Sequence, residues 1–273
     1  MDETYHVVAR EELTGPLQPI AGAIATATGK VVLDVTREIR GKIGILASGL
    51  AKDQADAAIS ILGHAGVRAF ALPESDVVRF PDPVFLETAR LGDDALEVSD
   101  LRDKHGRRIG QVNVPYADIV FIAAAHVRTE AKKRVVESQP GLHAIPPVPG
   151  VGLAGALAAA LPALGAGERT FHMASKSDYD HFLDIFAIEP AHHLRLNASK
   201  FNFTQTGMKL QPTSIANLTR FIKHFVVRCD HALIDASIRH ILDGSPQTNL
   251  TFNHPAQYDA YLSWRVQLLY NPE

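Results

Sequence analysis

Cysteine is almost missing from this sequence. Cys229 is the one thiol in 273 residues, so no disulfide can close within the chain, and a reducing cytoplasm is the compartment this usage favours. A surplus of positive charge is missing too: 27 Lys and Arg stand against 30 Asp and Glu, for a net charge of -3. Phosphate recognition generally shows as a clustered excess of Lys and Arg, so no nucleic acid is expected as a partner. The one short basic cluster, Lys132-Lys133-Arg134, reads as a solvated helix or linker start. No stretch reaches the roughly 20 strongly apolar residues that a membrane span needs, and no membrane is expected as a partner. The opening MDETYHVVAREEL lacks the basic end and apolar centre of a signal peptide.

Reactive signatures are scarce as well. There is no GxSxG elbow and no serine in a triad context, while Cys229 lies in an apolar helical pattern as a buried structural thiol. Gly41, Gly44 and Gly49 are not followed by a Gly-Lys-Ser/Thr run and read as turns and close packing. Thirteen histidines invite a metal, and the densest group is His172, Asp178, Asp180, His181, Asp184, His192 and His193. No HExxH or paired CxxC spacing is among them, and the adjacent His192 and His193 point to opposite faces of a strand, so they read as histidines near a surface turn. His105 and His126 read as a turn and a strand-end residue. His231, Asp235 and Arg239, one turn apart, read as charge pairing on a wet helix face. The sequence assigns no catalytic, cofactor-binding or metal-binding residue and implies no cofactor.

What is present is core-forming pattern. With 46% apolar and 21% charged residues the chain has material for a sizeable core in two compact units of about 100–150 residues. Tyr5 to Ala9 reads as a strand and Leu17 to Ala27 as a helix ended by Gly29. Ile43 to Ala47, an amphipathic helix carrying Ala55, Ala58, Ile59 and Leu62 closed by Gly66, and Val67 to Leu72 read as a βαβ unit with parallel strands. After Pro81 and Pro83 come four short strands, Val84 to Leu91, Ala95 to Leu101, Arg107 to Val114 and Ile119 to Val127, joined by turns as a meander or small barrel.

The strongest pattern is HLRLNASKFNFTQTGMKLQPTSIANLTRFIKHFVV. Leu194, Leu196 and Ala198, then Phe201 and Phe203, alternate with polar neighbours as a half-buried strand pair. Pro212-Thr213-Ser214 supplies helix-start chemistry, and Ile215, Leu218, Ile222, Phe225 and Val226 form one buried face. Phe182 to Ile188 is a strand before it. Asp230 is placed to cap a helix carrying Leu233, Ile234, Ile238, Ile241 and Leu242. Asn253-His254-Pro255 opens a last helix, where Tyr258 and Trp264 complete a core or its rim.

The segment ILASGLAKDQADAAISILGHAGVRAFALPES, within residues 43–75, resembles the small βαβ modules of bacterial proteins described as putative signal-transducing, with an Ala-rich helix before an AGV turn. The resemblance implies a ferredoxin-like or similar open sandwich. VPYADIVFIAAAHV is similar to the sheets of bacterial pleckstrin-homology-like domains, and no function is carried across. The expected fold is therefore α+β: a ferredoxin-like module over 1–78, an antiparallel β module over 79–128, a Pro/Gly/Ala-rich linker over 129–170 and an α+β domain over 171–273. Between Gln139 and Gly167 there is no Lys, Arg, Asp or Glu. Leu153, Leu157, Leu161 and Leu164 make a stripe there that would dock on the chain itself, a second copy or a protein partner. The function expected is non-covalent, as a cytosolic interaction, adaptor or regulatory component. A metal-dependent enzyme or a small-ligand binder with its site between modules is the alternative.

Overall fold

The structure, a computed structural model, describes residues 3–13, 15–40, 43–136, 171–188, 191–243 and 251–272, the side chains of 129–136 and 171–178 excepted. It is mixed α+β. The leucine stripe at 153–164 lies outside the described residues. The chain forms two compact units, residues 1–129 with 179–273 and residues 130–178. The second takes in the end of strand β7 (Ile119–Val136), where 132–134 are strand instead of helix or linker, and the start of β8 (Phe171–Ile188).

In the first unit, β1 (Tyr5–Ala9) is the centre of a three-stranded sheet, flanked by β2 (Ile45–Leu50) and β3 (Ala69–Pro73). Both flanking strands run antiparallel to β1. The two strands of the βαβ element therefore do run in one direction, as the crossover requires, but they are not hydrogen-bonded to each other. The N-terminal strand fills the gap between them. Helices α1 (Leu17–Thr28), α2 (Val32–Arg40) and α3 (Lys52–His64) cover one face. Ile20, Ile24, Val35, Ile39, Ala55, Ala58 and Leu62 pack there on Val7, Ala9, Leu46 and Leu50. The short α2 was not among the expected elements; its start exposes Val32 and Leu33, which hides the amphipathic period.

The large sheet has the order β10-β7-β8-β9-β4-β5-β6, with β11 also on β7. Here β4 is Val84–Leu91, β5 Ala95–Arg102, β6 Arg108–Pro115, β9 Ala191–Asn197, β10 Leu233–Ile234 and β11 Thr251–Phe252. β4, β5 and β6 form an antiparallel meander; the fourth strand expected in it, Ile119 to Val127, belongs to β7 and lies away from β6, between β10 and β8. The meander does not close as a barrel, because the outer edge of β4 pairs in parallel with β9 through Val84–Leu194, Phe85–Arg195 and Leu86–Leu196.

One face of this sheet packs on α4 (Ser214–Val226) and α5 (Ala236–Asp243). Thr213 caps α4, its hydroxyl oxygen accepting from the Ala216 N–H at 3.1 Å. The buried face is Leu218, Phe221, Ile222, Phe225 and Val226; Ile215 is 46% exposed and Phe221 takes the place expected for it. Phe201 and Phe203 are buried but not in a strand: Phe203 begins a 3-10 turn, Phe203–Thr206, and the two rings meet edge to face at 4.8 Å. The next helix, α5, starts later than expected. Leu233 and Ile234 pair with β7, and Asp235, not Asp230, stands before α5, with its Oδ2 accepting from the Ser237 N–H at 3.2 Å.

The opposite face of the large sheet meets α6 (Pro255–Tyr270), which His254 caps and Pro255 begins. Tyr258, Tyr261, Leu262, Trp264 and Val266 are buried around its circumference, with Phe121, Phe182 and Phe186 from the large sheet and Val8 and Leu72 from the small one. α6 is thus a central helix with a sheet on either side.

Candidate functional site

The functional question concentrates where α6 crosses β8 and β9. Leu183, Ile185, Leu194 and Leu196 turn to the α4 side, so the alternate residues Asp184, His193 and Arg195 turn to the α6 side. Alternation alone places that polar row in water. Instead α6 covers it, and Asp184, His193, Arg195 and Asn197 are all buried.

Burial of charge requires partners. Asp184 Oδ1 accepts from His193 Nε2 at 2.6 Å and from Arg195 Nε at 2.7 Å. Arg195 Nη2 reaches on to Asp259 Oδ1 at 2.7 Å, and its guanidinium lies 5.2 Å from the ring centres of Phe182 and Tyr258. Burial drives the Asp184 carboxyl up, but the positive charge of Arg195 and the His193 hydrogen bond outweigh it and hold the group below its ordinary range. Burial works against the charged form of Arg195 as well, and Asp184 more than compensates, leaving it firmly cationic. Tyr258 is held neutral by burial and then by the Asp184 charge. Asp184 Oδ2 and the Tyr258 hydroxyl are buried with no hydrogen-bond partner among the described residues.

Beside this network lies a cavity of about 440 Å³. It is walled by the connection after β3 (Val77, Val78, Arg79, Phe80, Pro81, Asp82 and Pro83), by Phe186 and His193 of the sheet, by Asp259, Leu262, Ser263 and Val266 of α6, and by His6 of β1. Phe80 and Phe186 meet edge to face at 5.0 Å, and His193 stacks on Phe186 at 4.2 Å. The connection is pinned from behind, since Gln267 Nε2 donates to the Val78 carbonyl at 2.8 Å and Gln267 Oε1 accepts from the Val78 N–H at 3.0 Å.

At the His6 wall a second relay appears. His6 Nδ1 lies 3.0 Å from Ser48 Oγ, His6 Nε2 contacts Glu74, and Glu74 also pairs with Arg79. The His6 hydrogen bond is the leading cause that lowers the Glu74 carboxyl. A bulge makes the contact: between the pairs Tyr5–Leu50 and Val7–Ala47, β2 sets Ser48 and Gly49 against His6 alone, with Gly49 at φ +70°. Bulges re-aim side chains in this way. The order serine, imidazole, carboxylate is that of a nucleophile, a base and an orienting acid, although the ring faces serine through Nδ1, the reverse of the familiar protease arrangement. No serine motif marks Ser48 in the sequence, and His6 stands 42 residues before Ser48 and 68 before Glu74.

The remaining histidine and aspartate residues separate. Of the group from His172 to His193, the structure brings together Asp184 and His193; Asp180 instead accepts from Ser199 Oγ at 3.4 Å. His193 is a network residue and not a surface one. His181 packs on His126 with ring centres 4.2 Å apart. The side chains of His172 and Asp178 lie outside the described residues. Asp235 is not on a wet face: it is buried, accepts from Tyr261 at 2.8 Å and from Ser237 Oγ at 2.7 Å, and pairs with Arg265 at 3.0 Å, whereas His231 faces the Ala117 carbonyl at 3.0 Å. Burial raises the Cys229 thiol to about 12, leaving it protonated. Among the described residues no group of three or more His, Cys, Asp or Glu is placed to hold a metal, and no helix is long and apolar enough to cross a membrane. Comparison with protein-family models, with curated proteins and with solved structures finds no match.

Proposed function

We propose that the protein works non-covalently in the cytoplasm, as a regulatory or adaptor component that binds a small molecule in the cavity between its small sheet, α6 and the β8–β9 hairpin. One observation carries this reading: the cavity wall draws on β1, the connection 77–83, β8, β9 and α6, so an occupant touches both ends of the chain at once. Its volume is within the roughly 300–1,000 Å³ of small-molecule sites, and it has the usual pairing of apolar wall with a few polar groups. The split strand arrangement of the N-terminal sheet is compatible with a ferredoxin-like unit of the signal-transducing kind, in which ligand state is passed to a protein partner or a second copy.

Retention of small molecules tests it. The purified protein and a Ser263→Trp variant, whose indole fills the cavity from an exposed position of α6, are each equilibrated with a cell extract, desalted and analysed by mass spectrometry. A compound held by the native protein and lost from the variant supports the reading. Identical retained sets from two folded proteins overturn it.

A second reading, an acyl-transfer enzyme, is favoured by the Ser48–His6–Glu74 relay alone. It requires Ser48 to be labelled by a fluorophosphonate in the folded protein and not in the His6→Gln variant. Absence of labelling removes it.

A further inference from the structure

The chemistry of the cavity wall narrows the class of occupant, an inference that rests on reading the cavity as a ligand site. Most polar groups around it are already engaged. Both ring nitrogens of His6 face partners, Ser48 and Glu74. Both oxygens of Glu74 are taken by His6 and Arg79. The Arg195 guanidinium binds Asp184 and Asp259, and Asp82 accepts from Lys104 at 3.0 Å. Val77 and Val78 use their N–H groups within the protein, on Glu74 and Gln267, and Pro81 and Pro83 have none.

Asp259 and His193, both in the wall, each keep an uncommitted side-chain atom among the described residues. Asp259 Oδ2 has no partner while Oδ1 holds Arg195, and the Asp259 side chain is 49% exposed. His193 meets Asp184 through Nε2, and its Nδ1 has no partner among the described residues. Charge points the same way. Arg195 is shared between two carboxylates, Asp184 and Asp259, while Asp82 pairs with Lys104 and Arg79 with Glu74. Half-buried charge of this kind favours a cationic occupant. Phe80 and Phe186 add aromatic surface for a hydrocarbon or ring to pack against.

We propose that the cavity takes a small, largely apolar amine in its protonated form. The ammonium donates to Asp259 Oδ2 and His193 Nδ1, and the hydrocarbon or aromatic part lies against Phe80, Phe186, Val77 and Leu262. A carboxylate or phosphate ligand meets the Asp259 carboxylate and is rejected; a neutral isostere gains the apolar contact without the ion pair.

Three probes of one shape separate these cases: 2-phenylethylamine, 2-phenylethanol and 3-phenylpropionate, titrated into the full chain at pH 7 by calorimetry and by the chemical shifts of Phe80 and Phe186. The amine is expected to bind at least about tenfold more tightly than either relative, the equivalent of about 1.4 kcal/mol. Asp259→Asn is expected to bring the amine down to the affinity of the alcohol and leave the alcohol unchanged. If the alcohol or the acid binds as well as the amine, the cationic class is wrong and the cavity still stands as a ligand site. If none of the three perturbs Phe80 or Phe186, the proposal fails; the extract experiment with Ser263→Trp then decides separately whether the cavity holds any ligand. The comparison on the native chain is decisive even if the Asp259 variant does not fold.

Discussion

Asp184 and Arg195 are registered partners across the β8–β9 hairpin, and both are buried, with 2.7 Å between Nε and Oδ1. A buried ion pair is weak support for stability as a whole, yet removing one member leaves the other charge without compensation, at a typical cost of about 3–5 kcal/mol. Arg195→Leu leaves Asp184 facing His193 alone and releases Asp259. The expected result is a loss of that size in the unfolding free energy from urea titration. A change below about 1 kcal/mol indicates that water reaches Asp184.

Gly44 lies against the face of Trp264. At φ +73° it has the left-handed backbone that glycine tolerates, and a Cβ there would stand 2.1 Å from the indole. The indole is locked in place because its Nε1–H donates to the Ala9 carbonyl at 2.7 Å. Gly44→Ala combines about 1–2 kcal/mol of backbone cost with an overlap that has to move the ring. The expected outcome is a red-shifted tryptophan emission and a lower melting temperature. Since Trp264 is the sole tryptophan, the emission reports this contact without background, and an unchanged spectrum refutes it.

These two contacts show which parts of the structure could be read from residues alone. Strand and helix periods are local, so the β4–β6 part of the meander, the α3 crossover and α4 were legible, down to the Thr213 cap and the His254-Pro255 start. Burial by a distant element is not local. His193, Arg195 and Asn197 carry the alternation of a strand with one wet face, and only the packing of α6, more than 50 residues later, makes that face dry. An aspartate in the midst of FLDIF was the available signal, since an acid on an apolar strand needs a buried partner. For Ser48, His6 and Glu74 there was none. Their meeting depends on β1 entering between β2 and β3, which the period of a βαβ element does not encode.

Phe225 supplies a direct test of the α4 face. It is fully buried, stacks on Phe221 at 5.7 Å and meets Tyr116 at 6.0 Å. Phe225→Ala is expected to cost about 3–5 kcal/mol, a large part of the roughly 5–15 kcal/mol available to a domain. Ile215, on the same helix but 46% exposed, provides the contrast: Ile215→Ala is expected to remain within about 0.5 kcal/mol. Equal effects at the two positions would contradict the assigned face.

His126 and His181 lead to a prediction about acid. Their rings touch at 4.2 Å; burial and then the neighbouring His181 lower His126 from 6.5 to about 4, and burial lowers His181 and His192 in the same direction, with Asp180 opposing it at His181. Between pH 6.5 and 4 the unfolded chain takes up a proton at residue 126 that the folded chain refuses, so the unfolded state binds more protons and stability rises with pH across that window. The contribution is therefore intact above about 6.5, is lost as the pH falls towards 4, and changes no further below it. Asp184, whose carboxyl lies below 3.8 in the folded state, acts only under that window. His126→Phe keeps an aromatic ring against His181 and removes the titration, so its urea midpoint is expected to fall less steeply than that of the native chain between pH 7.5 and 4.5. Parallel slopes for the two proteins would mean that His126 titrates alike in the folded and unfolded states and that the histidine pair is open to water.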